Sequence, residues 1–312
     1  LLTGDTAGVD AYHARVDQGG DEFDFTGIEW LGRNKAVSTA LSATSFRDAR
    51  KAPVSDAGQS FLGMGQNLPL GPVSQVPSTT RGAGLGEDGL RTMAAAGCGW
   101  PVGVWNRPIS AAELREASGL FGQSRSSLMT GAAFTDSAII ERQDLDDYRI
   151  LHFATHGLVT SPGEGCPARP ALLTSFGGPQ SDGLLTFKEI FNLRINADLV
   201  VLSACDTASQ ASLEANLEAG ITSGGAQALD GLVRAFIAAG GRQVIASHWP
   251  APDDFDATKR LFTSFYKASG ASVGDALMGA QRILMDDATT SHPFYWAGFA
   301  IIGDAARPVS GR

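Results

Sequence analysis

The chain has 312 residues, 43% of them hydrophobic, and a formal net charge of −9 at pH 7. That length holds one large α/β domain or two smaller ones, and the acidic balance excludes nucleic acid and anionic membrane as main partners. With no uninterrupted run of about 18 apolar residues, no transmembrane helix is expected. The widely spaced Cys98, Cys166 and Cys205 fit a reducing compartment, hence a cytoplasmic location, and no disulfide framework. The chain opens on Leu1 without a signal-peptide pattern, which points to a fragment of a longer protein.

Residues 1–33 are rich in Gly and Asp, and their one apolar patch, Phe23 to Leu31, reads as an edge strand or docking segment. Val37, Leu41 and Phe46 suit a helix within 34–51, ending before Pro53. Gln59 to Gly65 reads as a short strand, and 67–105 as a long irregular stretch with a weak helical patch near Leu90 to Ala96. Pro108 to Phe121 predicts a helix, with Ser110 and Glu113 as a capping box and Leu114, Ala117 and Leu120 as its apolar stripe. Leu128-Met129 predicts a strand, and Thr135 or Asp136 a cap for a short helix through Ile140. Leu158 to Gly183 reads as a loop, Leu184 to Phe191 as a short strand and helix start, and Ala208 to Gln227 as a flexible connection. Leu229 to Ala239 predicts a helix stopped by Gly240-Gly241, followed by a strand from Arg242 to His248. Two amphipathic helices, Asp253 to Lys267 and Ser272 to Asp286, and a strand from Phe294 to Ile302 complete the pattern. Alternating strands and helices indicate a mostly parallel central sheet with helices on both faces.

The chemistry gathers at two strand ends. Arg149 to Gly157 and Ala197 to Thr207 are apolar runs of the kind that form parallel strands covered on both faces. Each ends in a reactive side chain, His156 and Cys205, 49 residues apart. Functional groups of an open parallel sheet collect beyond the carboxyl ends of its strands. A thiol becomes a good nucleophile when it loses its proton, and a neighbouring imidazole takes that proton or stabilises the thiolate. Alone, a cysteine at a strand end is more often a small buried hydrophobe and a lone histidine a satisfied core residue; the pairing at matching strand ends favours chemistry.

His156-Gly157 after one strand and Ala204-Cys205 after the next resemble the signature of the caspase-like cysteine peptidases, specifically the separase-related CHAT domain. Further resembling strings are Gly231 to Phe236, Val244 to Pro250 and Pro293 to Phe299. The resemblance implies an α/β, caspase-like fold with three segments: 1–33 as an extension, 34–147 as the N-terminal part of the CHAT-like region and 148–306 as the catalytic core. It implies a cysteine endopeptidase with a His156/Cys205 dyad, an oxyanion site of the backbone N–H groups of Gly157 and Cys205, and no cofactor or metal. The implied partners are one dedicated protein substrate, in bacterial defence or regulated cell death, and a regulatory repeat region or activator protein. It places a specificity pocket at Trp249 to Asp256, where Asp253, with Asp254 and Asp206 nearby, would select a basic side chain.

Other readings stand beside these. Asp253 also suits a helix N-cap, and His248 is a second imidazole near a strand end but lacks a following Gly. Cys166 has no preceding strand and reads as a rim residue. Residues 208–227 carry no Lys or Arg, so an enzyme selective for basic residues would not mature by cutting itself there. The aromatic cluster Phe294-Tyr295-Trp296 reads as sheet packing. A catalytically silent interaction module is the rival from another class. A nucleotide-binding domain ranks last, because no Gly-rich phosphate loop follows a strand.

Overall fold

The strand carrying His156 runs through the middle of one mixed sheet. In the computed structural model, nine strands join in the order β1-β9-β8-β7-β4-β2-β3, with a β5–β6 hairpin attached to β4. They are β1 Ser38–Thr39, β2 Gln59–Gly65, β3 Ser126–Thr130, β4 Tyr148–Val159, β5 Pro170–Leu173, β6 Leu184–Thr186, β7 Leu199–Cys205, β8 Val244–Ser247 and β9 Phe299–Ile302. The structure describes residues 2–70, 102–159, 170–177, 181–205, 228–252, 254–268 and 270–309. Expectations for the patch near Leu90 to Ala96, for Cys98 and Cys166, and for Asp206, 208–227 and Asp253 lie outside the described residues.

Strands β2, β3, β4, β7 and β8 pair in parallel, as does β1 with β9; β9 returns antiparallel to β8. This is the mostly parallel α/β sheet that the alternating pattern predicts.

The pleat sorts each central strand onto two faces. Leu151 and Phe153 of β4, with Val200, Leu202 and Ala204 of β7, join one cluster. Helices α6 (Phe187–Phe191) and α7 (Ala228–Ala238) cover that side, supplying Ile190 and Phe236. Ile150, Ala154, Leu199 and Val201 join the other cluster. There they meet α4 (Ala112–Phe121), α8 (Ala257–Lys267) and α9 (Val273–Met285) through Leu114, Phe262 and Leu277. Both clusters are buried, which is why these strands read as continuous apolar runs.

The turn after α7 tolerates little change. Gly240 has φ +118°, and a Cβ there would lie 1.9 Å from the Ile195 carbonyl oxygen. Gly240→Ala should therefore lower the free energy of unfolding by about 1–3 kcal/mol in urea titrations.

Several local expectations are corrected. Residues 6–17, unread in the sequence, form α1 (Thr6–Asp17), with Asp5 as its N-cap. Within 34–51 the helix is confined to α3 (Ala43–Lys51), and residues 38–39 pair with β9. A short α2 (Leu31–Asn34) precedes it, and its Arg33 reaches Asp286 at the end of α9 at 2.7 Å. The stretch 158–183 is not all loop: β4 continues to Val159, and β5 pairs antiparallel with both β4 and β6. Thr135 caps α5 (Asp136–Ile140), as one of the two expected residues. Phe294 to Trp296 is not strand: α10 (Pro293–Trp296) is a helical turn with Pro at its start and the His292 side chain as cap. Trp296 is buried with its ring tilted against Trp30 at 5.9 Å between centroids, whereas Phe294 is exposed.

Candidate active site

The carboxyl ends of β4 and β7 stand side by side. Residues pair in register from Ile150 with Leu199 to His156 with Cys205. Alternation along β4 puts His156 on the face under α4 and α8, with Ile150 and Ala154. The structure describes the backbone of Cys205.

The His156 ring is partly exposed, and its Nε2 lies 2.6 Å from the Arg107 carbonyl oxygen. A carbonyl accepts, so Nε2 carries the proton and Nδ1 is left as the proton acceptor of the neutral ring. Gly157 begins the part of β4 that pairs with β5, opposite Leu172. The hairpin and the residues before α4 share a small apolar cluster of Trp105, Leu158, Ala171, Leu173 and Leu184. The Asn67 side chain donates to the Trp105 carbonyl at 2.9 Å, two residues before Arg107.

Beneath His156 lies a buried polar group that the sequence analysis did not single out. His152 is fully buried on the same face of β4 as His156. Its Nδ1 lies 3.0 Å from the Tyr266 hydroxyl and its Nε2 3.3 Å from Glu113 Oε1. Burial, with the Glu113 carboxylate nearby, pushes the Tyr266 hydroxyl well above its ordinary range and keeps it protonated. Glu113 was expected to close a capping box with Ser110. Instead α4 starts at Ala112 with no side-chain cap, the Ser110 hydroxyl accepts from the Ala112 N–H, and Glu113 turns inward. The available signal was a histidine inside an apolar strand: a buried imidazole needs partners from another element.

A cavity of about 220 Å³ opens on this face, lined by Ile109, Ser110, Glu113, Ser203, Ala251 and Asp256 among others. Ser203 precedes Cys205 by two residues on β7, so the cavity lies one pleat from the strand end. Of the predicted pocket residues, Asp254 lies in an exposed turn before α8, and Asp256 is the residue that reaches this cavity. Trp249 and His248 line a different cavity, of about 550 Å³, between β9, α9 and the N-terminal segment. The Trp249 indole packs over Gly298 and donates to the Phe294 carbonyl at 2.9 Å. No group of three or more His, Cys, Asp or Glu among the described residues is placed to hold a metal ion. No described helix is long and apolar enough to cross a membrane.

With this geometry in place, comparison with known proteins is informative. The family profile of the CHAT domain matches residues 12–304. The chain belongs to the CHAT domain family. Tetratricopeptide repeat protein 28 of Mus musculus is 33% identical over 189 residues, which is 49% of this CHAT chain and 7% of that protein. The Homo sapiens protein of the same name is 33% identical over 186 residues, with the same coverage. This CHAT chain thus spans a small fraction of the curated relatives it matches. Among solved structures, the Arg-specific cysteine proteinase gingipain R superposes with a TM-score of 0.51 at 10% identity, covering 94% of this chain and 60% of that one. A complex of Porphyromonas gingivalis RgpB pro- and mature domains gives 0.50 at 10% identity, over 94% and 61%. At that identity the likeness establishes the fold, which is the α/β, caspase-like fold of cysteine proteinases.

Proposed function

We propose that this CHAT domain is a cysteine endopeptidase using Cys205 as nucleophile and His156 as proton carrier. The observation that carries the reading is the register that sets His156 beside Cys205, with the imidazole held by the Arg107 carbonyl. The Cys205 thiol gives its proton to Nδ1 of His156, and the thiolate sulfur attacks the scissile carbonyl carbon. Backbone N–H groups of Gly157 and Cys205 take the oxyanion. His156 then protonates the leaving amine as the C–N bond breaks, and water hydrolyses the thioester that remains. Asp253, Asp254 and Asp206 are assigned to substrate binding at this end of the sheet, and Trp249 to the wall of the larger neighbouring cavity. The substrate is a protein, and the fold and family membership support this reaction class.

A second reading, a silent CHAT interaction module, draws support from the likeness to tetratricopeptide repeat protein 28, whose name describes repeats rather than an activity. A repeat region is on either reading the natural regulatory partner. Cleavage of a diverse peptide library by the purified chain, beside Cys205→Ala and His156→Ala, decides between them. Cutting by the parent alone supports the peptidase. If nothing is cut, a Cys205 that is alkylated no faster than Cys98 favours the module. In the peptidase case, an apolar rather than basic preference before the cut would remove the aspartates from the pocket.

A further inference from the structure

Two imidazoles stand four residues apart on one face of β4, and each is met by the same short segment of chain. At the upper one, the Arg107 carbonyl takes the Nε2 proton of His156. At the lower one, Glu113 reaches His152. Four residues on β4 correspond to roughly 13 Å, and the segment from Arg107 to Glu113 bridges that distance as a strap. Its middle is tied down as well. Gln66, with φ +52° just past β2, accepts from the Ala111 N–H at 3.1 Å and from Arg115 at 2.9 Å.

The lower attachment is an unusual investment for packing alone. Glu113 is 6% exposed and His152 fully buried, and neither Glu113 Oε1 nor His152 Nε2 has a hydrogen-bond partner among the described residues. Glu113 Oε1 and His152 Nε2 face each other at 3.3 Å inside the core, a polar contact between two elements that apolar side chains of the same size would not make. Tyr266 closes the other side of the ring at 3.0 Å, and Phe262 packs on it with centroids 4.8 Å apart, so His152 is fixed from α8 as well.

We propose that Glu113, acting through His152, is a positioning residue: it anchors the strap that carries the Arg107 carbonyl and thereby fixes the tautomer and orientation of His156. The proposal rests on the reading of His156 as proton carrier for its meaning in catalysis, but the positioning itself is measurable without any substrate. The same strap supplies Ile109, Ser110 and Ala112 to the wall of the 220 Å³ cavity, so the anchor also sets that wall.

The test is a long-range proton–nitrogen NMR spectrum of the histidine rings in the whole chain, with His156 assigned by its loss in His156→Gln. In the parent, His156 should show the tautomer protonated at Nε2. In Glu113→Gln the His156 signals should shift toward the average of two exchanging tautomers. Ile190→Ala, which opens a gap under α6 on the opposite face of the sheet, should lower the melting temperature and leave the His156 signals unchanged. If Glu113→Gln does not fold, Tyr266→Phe, which frees His152 Nδ1, should move the His156 signals in the same direction. Unshifted His156 signals in a folded Glu113→Gln chain would overturn the proposal and make the pair a packing feature. Where a cleaved peptide is in hand, Glu113→Gln should lower kcat by about 10- to 100-fold with KM nearly unchanged, the loss expected when a catalytic group is misplaced by about 1 Å. Absence of cleavage in the parent would count against the peptidase reading and leave the NMR result to judge the strap.

Discussion

His156→Ala is expected to slow peptide cleavage by about 10²–10⁴-fold, the range that a positioned general acid–base contributes. Cys205→Ala should reduce cleavage to the uncatalysed background, because no other cysteine lies at a described strand end. Both variants should keep the parent's melting temperature to within a few degrees. His156 is partly exposed at the sheet's rim, and the one hydrogen bond its ring makes among the described residues goes to the Arg107 carbonyl. A drop in activity with unchanged stability therefore points to chemistry, whereas equal losses of both would assign His156 to the scaffold. Making the two changes together should cost no more than the larger single change, since a nucleophile and its proton carrier act as one unit. Multiplying losses would instead mean that the two side chains work independently, which the dyad does not allow.

The parts of this molecule that were legible in the sequence are those where one physical rule acted without competition. The bounds of β2, Gln59–Gly65, follow from an apolar run ended by turn residues, and the presence of β4 and β7, though not their first and last residues, from strands covered on both sides. Their adjacency, and so the meeting of His156 with Cys205, needed the preference of successive parallel strands for neighbouring positions. Elsewhere two rules competed. Phe294 to Trp296 has the aromatic composition of a strand, but Pro293 at a helical first position and the His292 side-chain cap turn it into a helix. Ser110 and Glu113 have capping-box spacing, but burial of the His152 ring creates a stronger demand for the carboxylate than a helix end does. Strand β5 begins at Pro170 within a Gly- and Pro-rich stretch, where composition argues for loop and only the pairing with β4 and β6 makes it a strand. Helix α1 lacks an apolar stripe and buries none of its residues, so no periodicity announced it.

Asp182, just before β6, lies near Asp136 of α5 and Glu189 of α6, and Asp182→Asn is expected to stabilise the chain by about 2–4 kcal/mol at pH 8. Asp136 is buried and accepts from the Ser181 hydroxyl and, at 3.3 Å, from the Asp182 N–H. Burial, then the charges of Asp136 and Glu189, push the Asp182 carboxyl up from 3.8 to about 7. Burial raises Asp136 as well. The sign follows from proton counting. Between pH 3.8 and about 7 the folded chain keeps a proton on Asp182 that the unfolded chain has released, so stability falls as pH rises through that window and levels off above it. An asparagine holds no proton to lose, and its amide can still accept from the Leu184 N–H, a bond of 3.0 Å in the parent. Urea titrations at pH 5 and pH 8 should therefore show a smaller difference for Asp182→Asn than for the parent, with the gain at pH 8. Equal differences would mean that Asp182 is already ionised in the folded chain at pH 5. Because the β5–β6 hairpin pairs with β4 from Gly157 onward, the same ionisation is expected to reach the frame around His156. Asp182→Asn should accordingly make proteolysis of the native chain within 170–186 slower at pH 8 and leave it unchanged at pH 5.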